Sequence, residues 1–338
     1  MKPQSPHPPF TAHAATPGRS SSPRSGAPSL AGRPFAGRSL AALIAFLAVA
    51  GSAAPARAEV DVVATVPALA ALAKEVGGKA VRVRVLALPT QDPHFVDAKP
   101  SLVLELNKAD LLIAIGLDLE VGWLPTLLTG ARNPAIQRGA NGYLDCSTYV
   151  PILDAPREKL DRSMGDIHPG GNPHYLYNPR GASGCAAGIA GRLAAIDPGR
   201  AGEYRANLKS FEERLHAREA AWRKELAPYK GQSVVSYHRS WTYLIDWIGL
   251  RSAGELEPKP GIPPSPRHVA QVIAAAKSAG AKVILQEAFY PDRTAKLVAA
   301  KIGATVVAPA GGPDVRAGQS YFDYMDKVVS SLAKALGR

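Results

Sequence analysis

The chain alternates short β-branched runs with amphipathic stretches of helical spacing, and it does so twice. Val60–Thr65 is a β-branched run stopped by Pro67, which suits the first turn of a helix over Pro67–Val76 closed by Gly77-Gly78. Val81–Leu86 alternates Val with Arg82 and Arg84, the pattern of a strand with one wetter face. Ser101–Asn107 predicts a short helix, Asp110–Ile115 a buried strand, Glu120–Leu128 a helix and Gly142–Cys146 a further strand. Ala182–Ala195 is an amphipathic helix of small residues. A second series predicts strands over Ser233–Tyr237, Arg251–Leu256, Lys282–Gln286 and Thr305–Val307. Its helices are Ser240–Ile248, Ser265–Ala279, Asp292–Ile302 and Tyr321–Leu336. Such repetition predicts an α/β fold of two βα lobes, each with a mostly parallel sheet covered by helices.

Between the two series lies one much longer helical stretch, Asp197–Leu226, with Leu208, Phe211, Leu215 and Trp222 at helical spacing among charges. At roughly 1.5 Å per residue it is over 40 Å long, enough to act as a rigid connector. The organisation is then a leader (1–58), an N-terminal lobe (59–196), a linking helix (197–228) and a C-terminal lobe (229–338).

The formal charge of +12 suggests nucleic acid at first, but six Lys/Arg and no acid fall within residues 1–58. Without them 34 basic residues face 28 acidic ones, a net of +6, with no aromatic-interleaved basic run of the kind nucleic-acid binders carry. The leader reads as export machinery. Residues 3–37 are rich in Pro, Ser, Gly and Ala; then come Arg38, the apolar run Leu40–Ala50 and a small-x-small cleavage site, Ala56-Arg57-Ala58. The apolar run is shorter than the roughly 20 residues a membrane helix needs. A soluble mature protein, periplasmic or otherwise extracytoplasmic, is expected. Export permits a disulfide between Cys146 and Cys185, which would pin the loop between them at both ends.

That loop, Gly165–Pro179 (GDIHPGGNPHYLYNP), carries His168 and His174. Pro173 fixes its own φ and extends Asn172, so His174 is presented from a stiff backbone. Asp92-Pro93-His94 repeats the device far upstream, and His238 closes the strand SVVSY. His94, His174 and His238 all follow the C-terminal ends of predicted strands, where open α/β sheets place ligands. Together they predict a three-nitrogen metal site shared by two lobes. His216 and His268 read as surface residues of helices.

DPHFVDAKPS, GDIHPGGNPHY and SYHRSWTYL, with VVATVPALAALAKEVGG and KADLLIAIGLDLEVGW, resemble the zinc/manganese-binding solute-receptor family of metal ABC transporters. The resemblance covers the chain from Val60 to the final helix. It implies two βα lobes joined by one long rigid helix, with metal in the cleft. Carried over, His94 and His174 are the ligands of the first lobe and His238 the first ligand of the second. The family often adds an Asp after the last strand, where this chain reads Ala308-Pro309-Ala310-Gly311-Gly312. Glu287 is the leading candidate for the fourth ligand; Asp314, His168 and water are the others. Asp92 and Asp166 are candidates to orient ligand imidazoles.

Imidazoles with at most one carboxylate suit zinc, whereas manganese favours more oxygen. The expected function is capture of Zn²⁺, less so Mn²⁺, for an ABC permease with a separate ATPase subunit, by a monomeric non-enzyme. The rival is an exported three-histidine zinc hydrolase using Glu287 as base. No HExxH helix is present to support it.

Overall fold

β1 (Val60–Ala64) pairs with β2 (Val81–Val85) and β3 (Leu111–Ala114), and β3 pairs with β4 (Tyr143–Asp145), all parallel. This computed structural model describes residues 58–156, 168–259 and 261–338. The export run Leu40–Ala50 and Asp166 lie outside the described residues. The second sheet repeats the plan with β5 (Ser233–Ser236), β6 (Arg251–Glu255), β7 (Val283–Leu285) and β8 (Thr305–Val307), again all parallel. The strand orders are β2-β1-β3-β4 and β6-β5-β7-β8, the same topology twice. All four residues of β3 are buried, because helices cover both faces of a parallel sheet and leave no wet side to alternate with.

Helices α1 (Pro67–Gly77), α2 (Pro100–Asn107), α3 (Leu124–Ala131) and α4 (Pro179–Ile196) accompany the first sheet. The linking helix is α5 (Ala201–Leu226). Around the second sheet lie α6 (Thr242–Ile248), α7 (Pro266–Ser278), α8 (Asp292–Ile302) and α9 (Tyr321–Leu336). Local chemistry sets several of their starts. Asn178 caps α4 by accepting from the Arg180 amide at 2.9 Å, with Pro179 at the first helical position. Ser320 and Asp323 form a reciprocal capping box on α9.

α5 is 26 residues, about 39 Å at the usual rise. It is slightly shorter than the sequence predicts, because Pro198–Arg200 forms a separate 3₁₀ turn ahead of it. Tyr204, Phe211, Leu215, Trp222 and Leu226 form its buried stripe, which lies against α1, α4 and α9. Asn207 Nδ2 donates to Val76 O at 3.0 Å, and Trp222 Nε1 to Asp326 Oδ1 at 2.7 Å. One helix is thereby fixed to both halves of the molecule.

Two expectations are corrected. The helix predicted over Glu120–Leu128 begins at Leu124, because Glu120 folds back into the lobe instead of opening a helix. Its Oε1 accepts from the Thr65 hydroxyl (2.6 Å) and the Ile115 amide (2.8 Å), and its Oε2 from the Gly116 amide (3.2 Å). Burial pushes this carboxyl up to about 6 against those three donors. Cys146 and Cys185 are free thiols, both fully buried, rather than a disulfide. Cys146 opens the turn after β4 and Cys185 lies on the inner side of α4, so they fill the core as small apolar groups. Burial, and then the Cys185 thiol beside it, raise the Cys146 thiol well above its usual value.

Candidate metal centre

The two Asx-Pro-His tripeptides adopt one local structure. The His94 amide donates to Asp92 Oδ1 at 3.0 Å, and the His174 amide donates to Asn172 Oδ1 at 3.0 Å. In each, the Asx side chain captures the backbone two residues on, and the intervening proline holds the turn open. Asn172 is buried, and its amide nitrogen also donates to Arg239 O at 2.9 Å. The His174 turn is thus tied to the residue after His238. Tyr243 strengthens the tie: its hydroxyl donates to Asn172 O at 2.9 Å and accepts from the Leu153 amide at 2.9 Å.

His238 follows β5, the strand that β6 and β7 flank, at the carboxyl end of the second sheet. The structure brings His94, His174 and His238 together. Their ring centroids are 5.3 Å (His94–His174), 5.2 Å (His94–His238) and 5.2 Å (His174–His238) apart. One nitrogen from each lies within 4.8 Å of the other two. Among the described residues, this is the group of His, Cys, Asp and Glu side chains that meets this spacing.

The hydrogen bonds decide which nitrogens face the centre. His94 Nδ1 lies 2.7 Å from Asp92 Oδ1, and His238 Nδ1 lies 2.7 Å from Glu257 Oε2. Each carboxylate fixes the Nδ1–H tautomer and leaves an Nε2 lone pair for a metal. Burial raises the Asp92 carboxyl, but its bonds to His94 outweigh this and hold it below its usual range. His174 Nε2 is buried and has no hydrogen-bond partner. An orphaned imidazole nitrogen of this kind fits a ligand atom, since a buried polar group left unpaired is costly. Burial, and then the His238 and His94 imidazoles, push His174 well below its ordinary pKa. The ring is therefore neutral and able to ligate.

The other candidates are placed differently. Glu287 is buried after β7, and its Oε1 accepts from the Tyr177 hydroxyl at 3.2 Å. Burial raises its carboxyl, while the neighbouring Ser240 and His238 side chains favour its charged form. Asp314 is exposed, and its Oδ1 accepts from the Arg316 and Ala317 amides at 3.1 and 3.2 Å, capping a local turn. His168, one of the weaker candidates, reaches the cluster: its Nε2 lies 3.3 Å from His94 Nε2. Burial, then His94 and His238, lower its pKa to about 3. His216 is exposed on α5. His268 is half-buried rather than exposed, with Nε2 2.9 Å from Glu255 O.

Glu257 is the site residue that sequence reasoning missed. It follows β6, and its signal was available: an acid just past the C-terminal end of a predicted strand. What the sequence does not contain is that β6 is the neighbour of β5, which puts that acid behind His238.

The inner pocket beside His174 and His238 holds about 30 Å³, and Asp154, His168 and Arg239 contribute to its wall. That is room for an ion or a water.

The model of the periplasmic component A of zinc-uptake complexes matches residues 62–335. The chain belongs to this family. It is 26% identical over 244 residues to the high-affinity zinc uptake system protein ZnuA of Paracoccus denitrificans, covering 62% of this chain and 71% of that one. It is 25% identical over 295 residues to the manganese ABC transporter substrate-binding lipoprotein ScaA of Streptococcus gordonii, covering 82% and 90%. Among solved structures, a zinc-bound ZnuA lacking residues 138–173 of its own sequence superposes with a TM-score of 0.67 at 25% identity, over 82% of this chain and 98% of that one. A manganese-bound periplasmic metal-binding protein of Candidatus Liberibacter asiaticus shares the fold, with a TM-score of 0.68 at 19% identity, over 82% and 99%. Membership of this receptor family rules against the hydrolase reading.

Proposed function

We propose that the protein captures Zn²⁺ outside the cytoplasm through His94, His174 and His238 and passes it to an ABC permease driven by a separate ATPase. One observation carries the reading: three imidazoles from distant parts of the chain converge within 4.8 Å, and one of their nitrogens is buried and unpartnered. Zinc takes such nitrogen donors at about 2.0–2.1 Å in tetrahedral sites. The donor set favours zinc over manganese, which prefers oxygen-richer coordination. The names of the zinc-uptake relatives support the same cargo, and those of the manganese relatives mark its competitor.

The expected cycle follows from the fold. Long-helix α5 is fixed to both lobes, so cargo release needs only modest rearrangement around the cleft. Zinc affinity measured against a competing chelator, for the exported protein and for His174→Ala, tests the site. Affinity unchanged by the substitution would sink it. Zinc-dependent growth of a strain lacking the gene tests the transport role separately.

A further inference from the structure

We propose that His168 supplies the fourth nitrogen to the cargo ion, so that the site is a four-imidazole cage. The inference rests on the three-histidine reading above and extends it by one residue. In a tetrahedral zinc site with nitrogens at about 2.05 Å, adjacent donor atoms are about 3.3–3.4 Å apart. His168 Nε2 lies 3.3 Å from His94 Nε2, the length of such an edge. The His94–His168 centroid separation, 5.3 Å, equals the His94–His174 separation within the cluster. From His168 to His174 the centroids are 6.4 Å apart. His168 is thus in register with His94, about 1 Å farther from His174 than the cluster spacing and outside the 4.8 Å group of the other three, so the proposal requires its ring to swing inward when the ion binds.

Of the rival donors, Asp314 is engaged elsewhere. It spends its carboxylate on the Arg316 and Ala317 amides. Glu287 Oε1 accepts from the Tyr177 hydroxyl, while its Oε2 is buried without a hydrogen-bond partner, so Glu287 is the rival that the test below must separate from His168. The Nδ1 of His94 is bound to Asp92, so the His94–His168 contact uses the Nε2 atom that also faces the ion. Before the ion arrives, Nε2–H of His168 donates to the His94 lone pair. When the ion takes that lone pair, His168 gives up this bond and its single N–H proton moves by way of solvent from Nε2 to Nδ1, so the ring stays neutral and presents an Nε2 lone pair to the metal. His168 is also the histidine that lines both the inner pocket and an outer groove of about 500 Å³, so it stands where the two meet.

The test uses the exported protein. A crystal structure of the zinc-loaded form should place His168 Nε2 at about 2.0–2.1 Å from zinc. His168→Ala should weaken zinc binding about a hundredfold while leaving metal-free thermal stability near wild type, and Glu287→Gln should change affinity less than threefold. A water or a Glu287 oxygen in the fourth position overturns the proposal, as does a His168→Ala affinity within twofold of wild type. His174→Ala and His238→Ala separate the two levels. If they lose affinity and His168→Ala does not, only the fourth ligand is wrong. If they too retain affinity, the three-histidine reading falls and takes this proposal with it.

Discussion

Glu257 Oε2 sits 2.7 Å from His238 Nδ1, with both side chains buried. A carboxylate in this place orients the ring and raises its basicity, and partners of this kind carry roughly 10–100-fold in metal affinity. Glu257→Ala is expected to weaken zinc binding by that factor. Glu257→Gln, whose amide oxygen can still accept from Nδ1–H, should recover much of the loss. Chelator competition on both variants checks it; equal losses would reduce Glu257 to a packing role.

Replacing His94, His174 or His238 by Ala should cost about two orders of magnitude in zinc affinity or more, beyond the usual effect of outer partners. His216→Ala and His268→Ala should stay within about threefold of wild type. His216 is exposed on α5, and His268 serves the Glu255 carbonyl. If all five variants behave alike, the site lies elsewhere.

His174 is held neutral by burial and by its two imidazole neighbours, so it has no proton to lose when zinc arrives. An unperturbed imidazole is mostly protonated at pH 5.5 and would release nearly one proton. Zinc binding at that pH should therefore release no more than two protons from His94, His174 and His238. Calorimetry in buffers of different ionisation enthalpy counts them, and a count near three would contradict the buried, neutral His174.

Glu120 is pushed from 4.5 up to about 6, a shift equivalent to about 2 kcal/mol. The folded state binds this proton more tightly than the unfolded one. The contribution is therefore fully present below pH 4.5 and is lost as pH rises through about 6. Glu120→Gln cannot titrate. Between pH 4.5 and 6.5, urea melts of wild type should lose about 2 kcal/mol relative to this variant. Parallel stability curves would refute the shift.

Cys146 and Cys185 are fully buried free thiols. Alkylation of the folded protein should label neither. After denaturation without reductant, mass spectrometry should show both labelled. Labelling that requires a reductant would restore the disulfide.

Much of the architecture was legible because its causes are local. Val62-Val63 and Leu111-Leu112-Ile113 announce buried strands by composition, Pro67 marks a helix start, and the stripe from Leu208 to Trp222 announces α5. The Asx-Pro-His turns were equally visible, since two residues and a proline make the whole structure. The helix start at Glu120 was not. Its amphipathic spacing continued into the segment, but a buried carboxylate meeting the Ile115 and Gly116 amides outweighed helical propensity.

The sequence by itself determined two βα lobes, one connecting helix and the three histidines held at the ends of strands or in stiff turns. Only the tertiary structure decided which side chains share their surroundings. Sheet order set β6 beside β5 and so delivered Glu257 to His238. The Asn172 and Tyr243 bonds drew the His174 turn to the second lobe. The placement of His168 ahead of α4 set it beside His94. Hydrophobic period and turn chemistry act over a few residues, whereas donor–acceptor distances across 74 residues of chain depend on how whole lobes pack.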